Sequence, residues 1–93
     1  MESLPKSQDL IPPMLVILAR QNGPMSIDEI EAAVGKELAI PEALQAAIHS
    51  GKRTEFQYRL AWARTKAKLA GWIESPKREY WEITNLGKSQ LPS

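Results

Sequence analysis

Apolar residues recur along this chain at two periods, and the change from one to the other falls near Gly71. Leu10, Met14, Ile17 and Leu18 form a stripe at helical spacing, which predicts a first helix capped by Asp9 with Pro12 and Pro13 in its opening turn. Asn22-Gly23-Pro24 ends it. Ser26 with Glu29 three residues on is a capping box, and the helix behind it carries Ile27, Ile30, Val34 and Leu38 inward. Its exposed face is acidic, with Asp28, Glu29, Glu31 and Glu37. Pro41 then opens a short amphipathic segment through Leu44, Ala47 and Ile48, which stops at Ser50-Gly51. Thr54 and Gln57 form another capping box, and the longest helical pattern runs from it to about Ala70. Phe56, Leu60, Ala63, Ala67 and Ala70 share its buried face. After Gly71 the alternation has period two: Trp72-Ile73-Glu74 and Tyr80 to Thr84 predict two strands joined by Ser75 to Glu79. Trp81 and Ile83 then face one way, and Tyr80, Glu82 and Thr84 the other.

This pattern predicts a flexible lead-in over residues 1–8 and one domain over residues 9–91, mainly α with a small β-hairpin. A length of 93 residues allows a single modest core but no deep catalytic cleft walled on all sides. The absence of cysteine excludes a disulfide framework and a thiolate metal site, and fits a cytoplasmic protein. The longest apolar run, Met14 to Ala19, is far short of the ~18 residues needed to cross a bilayer.

A net charge of +1 conceals an uneven distribution. Residues 1–49 carry three cations against seven carboxylates, a net of −4, and residues 50–93 carry nine against four, a net of +5. All six aromatic residues also fall between Lys52 and Ile83. A basic, ring-rich half is the footprint of a phosphate backbone, and a merely solvated surface is the competing explanation. Around the long helix, away from its buried face, lie Gln57, Tyr58, Ala61, Arg64, Thr65 and Lys68, a mix suited to base edges in a major groove. Lys52, Arg53 and Thr54 sit at its N-terminus, where free amides favour an anion, and Lys77 and Arg78 tip the hairpin as candidate phosphate grips. His49 is the lone histidine and serves best as a helix-end residue. No nucleophile, base and orienter set can be assembled, and no metal or cofactor is implied.

Helix, helix, short helix, basic helix and two-stranded wing is the order of a winged helix-turn-helix domain, with the recognition helix over about 54–70 and the wing over about 72–84. The run SGKRTEFQYRLAWARTKAKLAGWIESPKREYWEITNLGKSQL, residues 50–91, also resembles the N-terminal winged-helix domain of Mrr-type, modification-dependent restriction endonucleases. The resemblance rests on Ser50-Gly51, Thr54-x-Phe56, Arg59-x-x-Trp62-Ala63-Arg64-Thr65, Ala70-Gly71 before a hydrophobic residue, the basic turn, and Ile83-Thr84-x-x-Gly87. It implies double-stranded DNA binding on behalf of a nuclease domain, with modified cytosine as a target. The nuclease's own acidic motif is missing, because no Asp or Glu stands two residues before a Lys. Within the motif, Phe56, Leu60, Ala63 and Leu69 are expected in the core with Trp62 as a packing anchor. Gln57, Tyr58, Ala61, Arg64 and Lys68 are left to read bases from within the groove. The competing function is protein interaction or homodimerisation through Trp72, Tyr80 and the hairpin edge.

Overall fold

The computed structural model describes residues 4–91, in the order α1 (Ser7–Gln21), β1 (Met25–Ser26), α2 (Ile27–Glu37), α3 (Glu42–Ala46), β2 (Ile48–Ser50), β3 (Arg53–Thr54), α4 (Glu55–Leu69), β4 (Ile73–Lys77), β5 (Tyr80–Ile83) and α5 (Asn85–Lys88). It is mostly helical, with two small antiparallel sheets in the orders β1-β5-β4 and β2-β3. α1 is the central element and packs on α4, α2 and β5. Leu10, Met14 and Leu18 of α1, Ile30 and Val34 of α2, Phe56 and Leu60 of α4 and Ile73 of β4 are its fully buried large side chains. No helix among the described residues is long and apolar enough to cross a membrane.

Both capping boxes form. Ser26 N donates to Glu29 Oε1 at 2.8 Å while Glu29 N donates to Ser26 Oγ at 3.1 Å, and Thr54 and Gln57 repeat the exchange at 3.1 and 3.0 Å. Gly71, at φ +82°, closes α4 as its pattern predicts: its N–H reaches Lys68 O and that of Trp72 reaches Ala67 O, which satisfies two carbonyls the helix end leaves free.

The N-terminus differs from expectation. α1 starts at Ser7 after Lys6, so Asp9 is not its cap, and the prolines fall in the second turn rather than the first. They forfeit the bonds to the carbonyls of Gln8 and Asp9, both exposed residues that water can satisfy. Of the lead-in expected over residues 1–8, Met1 to Ser3 lie outside the described residues, while Leu4 is buried in the core. Arg59 Nη1 donates to the carbonyls of Leu4 at 2.8 Å and Pro5 at 3.1 Å, tying this segment to α4.

Two strand pairs are also new. β1 pairs with β5 through Met25↔Trp81 and Ser26↔Tyr80, joining the start of α2 to the hairpin. The amphipathic segment expected to run from Pro41 to Ser50-Gly51 is helical only over Glu42–Ala46, and the chain then turns back at Gly51, φ +54°, to form the β2–β3 ribbon, which leads straight into α4. Leu38, expected inward on α2, lies past its end and is exposed.

Candidate nucleic-acid interface

Positions on α4 advance by about 100° per residue, and burial divides its circumference into three parts. Phe56, Leu60, Ala63 and Ala67 are buried on the core side. Next to them, on the flank facing α2, lie Gln57 and Arg64, which line a small cavity with Ile27, Asp28 and Glu31. Gln57 is engaged at both ends of its amide, accepting from Thr54 N and donating from Nε2 to Glu31 Oε1 at 3.2 Å. Arg64 is only 9 % exposed. Burial, and then the nearby charge of Arg53, lower its pKa against the opposing pull of Glu31, and the guanidinium remains charged. Two polar side chains expected to face a groove are thus held at the α2–α4 junction. Thr54 is similarly occupied as the helix cap.

The outward third of α4 holds Tyr58, Ala61, Trp62, Thr65 and Leu69, bordered by Lys66 on one side and Lys68 on the other. Trp62, expected as a packing anchor, is 48 % exposed, and Leu69, expected in the core, is 83 % exposed. Ala70, also expected on the buried face, is exposed at the helix end. Tyr58, Ala61, Trp62 and Thr65 line a shallow cleft of about 310 Å³ with Arg53, whose guanidinium sits 5.8 Å from the centre of the Tyr58 ring. His49 is not at a helix end; from β2 it stacks on the Tyr58 ring, centroid to centroid 3.9 Å with 16° between planes. Its Nδ1 lies 2.7 Å from Glu55 Oε1, so that nitrogen carries the proton. Glu55 Oε2 accepts from Arg59 Nε at 2.8 Å.

Hydrogen bonds from Arg59 and then His49 hold the Glu55 carboxyl below its usual pKa, and Arg20 does the same for Glu37. A carboxyl depressed in the folded state stabilises the fold above its unfolded pKa, about 4.3, and that contribution disappears as pH falls through the lower folded value. Thermal melts from pH 7 to pH 3 are therefore expected to show a falling midpoint below about pH 4.5. A Glu37→Gln/Glu55→Gln variant is expected to lose less on acidification than the wild type.

The β4–β5 hairpin turns over two residues, Arg78 and Glu79, the latter at φ +65°. Ser75 Oγ, in the irregular stretch between Glu74 and Lys77, lies 2.8 Å from the carbonyls of both Lys77 and Tyr80 and braces the tip. Lys77 Nζ sits 4.5 Å from the centre of the Tyr80 ring, and Lys68 Nζ reaches from α4 to within 6.0 Å of the Trp81 ring. Glu79 O accepts from Ile27 N at 3.0 Å, which fixes the tip against the start of α2. Among the described residues no carboxylate lies within ion-pairing distance of Lys52, Arg53, Lys66, Lys68, Lys77 or Arg78.

The structure therefore leaves Tyr58, Ala61 and Lys68 on the outward side, with the cations of the ribbon and hairpin tips exposed, and takes Gln57 and Arg64 out of it. Sequence reasoning missed Trp62 and His49 as members of this surface. The first was legible: five positions from Ala67, Trp62 lies about 140° around the helix from the middle of the buried face. Fold and surface define a small, mainly helical α+β domain with exposed cations on the β2–β3 ribbon, on α4 and at the hairpin tip. Its family follows from comparison: residues 8–93 match the Mrr N-terminal domain model, and the chain belongs to that family. No curated protein and no solved structure matches the chain.

Proposed function

We propose that this domain binds double-stranded DNA as a winged helix-turn-helix, serving as the non-catalytic recognition module of a modification-dependent restriction system. In this reading α4 enters the major groove, and β4–β5 is the wing. The observation that carries it is the set of exposed cations without carboxylate partners among the described residues: Lys52 and Arg53 on the ribbon, Lys66 and Lys68 on α4, and Lys77 and Arg78 on the wing. Such cations displace counterions from a duplex. The element order and the pairing of β1 with the hairpin support the winged-helix assignment. Membership of a family of N-terminal domains supports a link to a separate nuclease domain.

Dimerisation through the hairpin has less support. β4 is one edge of its sheet, but Pro76 removes a donor and the register shift between Glu74 and Lys77 breaks the ladder. Trp72, required by that alternative, packs partly buried against the core.

The test is a fluorescence-anisotropy titration of duplexes containing cytosine, 5-methylcytosine or 5-hydroxymethylcytosine, repeated over a series of salt concentrations. The expected slope of log affinity against log salt is about −3 to −5 for four or five phosphates. Undetectable or salt-independent binding overturns the proposal. Equal affinity for the three duplexes removes modified cytosine from it and leaves duplex binding.

A further inference from the structure

The outward face of α4 is unlike the polar surface that hydrogen-bonded base reading needs. Of its two best polar readers, Gln57 is bonded to Glu31 of α2 and Arg64 is buried in the cavity beside it, and the Thr65 hydroxyl donates to its own helix at Ala61 O, 3.0 Å away. What remains at the centre is mainly ring and methyl surface, from Tyr58, Ala61, Trp62 and Leu69 with the Thr65 methyl, and its only polar atoms are the Tyr58 hydroxyl and the Trp62 indole N–H. Charge selects the occupant of this face. Lys66 and Lys68 border it on both sides and Arg53 closes one end, so two copies of the chain docking through this same face would set like charges against one another. A major groove is the complementary shape, with walls of phosphate and a floor on which pyrimidines present 5-methyl groups.

We propose that α4 reads DNA by apolar contact: the cleft of Tyr58, Ala61, Trp62 and Thr65 takes a pyrimidine 5-methyl group, and Trp62 is the specificity-determining residue. The inference rests on duplex binding as proposed above, and it assigns selectivity to a side chain outside the polar set. His49, stacked on the Tyr58 ring, and Arg53, near the same ring, support the cleft by positioning Tyr58. The chemistry is shared by thymine and 5-methylcytosine, and the two sources are separable.

The experiment compares four duplexes of one sequence at fixed salt: unmodified, uracil in place of thymine, 5-methylcytosine in place of cytosine, and both changes together. Uracil removes the methyl group and keeps every hydrogen-bonding group. The wild type is expected to lose about three- to tenfold in affinity with the methyl group that the cleft reads. A loss with uracil identifies thymine, and a gain with 5-methylcytosine identifies the modified base. Trp62→Ala, at a half-exposed position, is expected to abolish the difference while leaving the salt slope unchanged.

Equal binding of all four duplexes by the wild type overturns this inference and leaves the proposed function standing, with no dependence on whether the variant folds. A methyl preference that survives in folded Trp62→Ala overturns the role of Trp62. No binding to any duplex overturns both proposals. Concentration-dependent self-association by light scattering, lost in Trp62→Ala, assigns the face to a second copy and overturns the inference.

Discussion

Phe56→Ala is expected to lower the free energy of unfolding by about 3–5 kcal/mol, the usual cost of emptying a fully buried phenylalanine site. Phe56 is the largest side chain of the core with no exposure, and it sits on the helix that α1 packs against. Transfer of the ring back to water is only part of the cost. The remainder is the cavity, which cannot collapse without moving α1 or α4. A chain of 93 residues has a total stability of roughly 5–14 kcal/mol, so this loss is a large fraction of the whole. Urea unfolding followed by tryptophan fluorescence checks this as a lower midpoint at an unchanged slope. Leu69→Ala is the control: at 83 % exposure its change should stay within about 0.5 kcal/mol. A large loss at Leu69 or a small one at Phe56 would contradict the burial assigned to α4.

Reversing four cations, Lys52→Glu/Arg53→Glu/Lys77→Glu/Arg78→Glu, is expected to remove duplex binding without unfolding the domain. All four residues are exposed and make no ion pair among the described residues, so little folding energy is at stake. Four neutralised phosphates contribute about 3.6 log units at 0.1 M salt, and their loss is expected to lower affinity by at least about a thousandfold and flatten the salt slope to about −2 or shallower, the share left to Lys66 and Lys68. Anisotropy titrations over 50 to 300 mM salt, with circular dichroism to verify folding, measure both quantities. Retention of a slope near −4 would show that the phosphates are gripped elsewhere. Arg64→Glu is a poor substitute for this test, because at 9 % exposure that residue's change strikes the α2–α4 junction before it strikes DNA.

Local rules carried the parts of this fold that depend on near neighbours in sequence. A capping box is an exchange between residues three apart, so Ser26 with Glu29 and Thr54 with Gln57 were readable directly and mark the starts of α2 and α4. The stop at Gly71 has the same origin, since only a residue tolerant of positive φ closes a helix in this way. β1 and the β2–β3 ribbon left little trace, because strands this short owe their assignment to partners rather than to a period. Residues 25–26 become a strand only when Tyr80 and Trp81 arrive from the other half of the chain.

The candidate surface divides along the same line. Sequence alone determined that a basic, aromatic-rich stretch forms one long helix followed by a cationic hairpin, because helical spacing, caps and alternation are properties of adjacent residues. Only the tertiary structure decided which side of that helix remains open. The wheel ranks residues by angle, but the width of the covered arc depends on what packs beside it. Here α2 covers the flank that holds Gln57 and Arg64. Nothing covers Trp62 and Leu69 among the described residues, so the outward face is apolar at its centre and cationic at its edges.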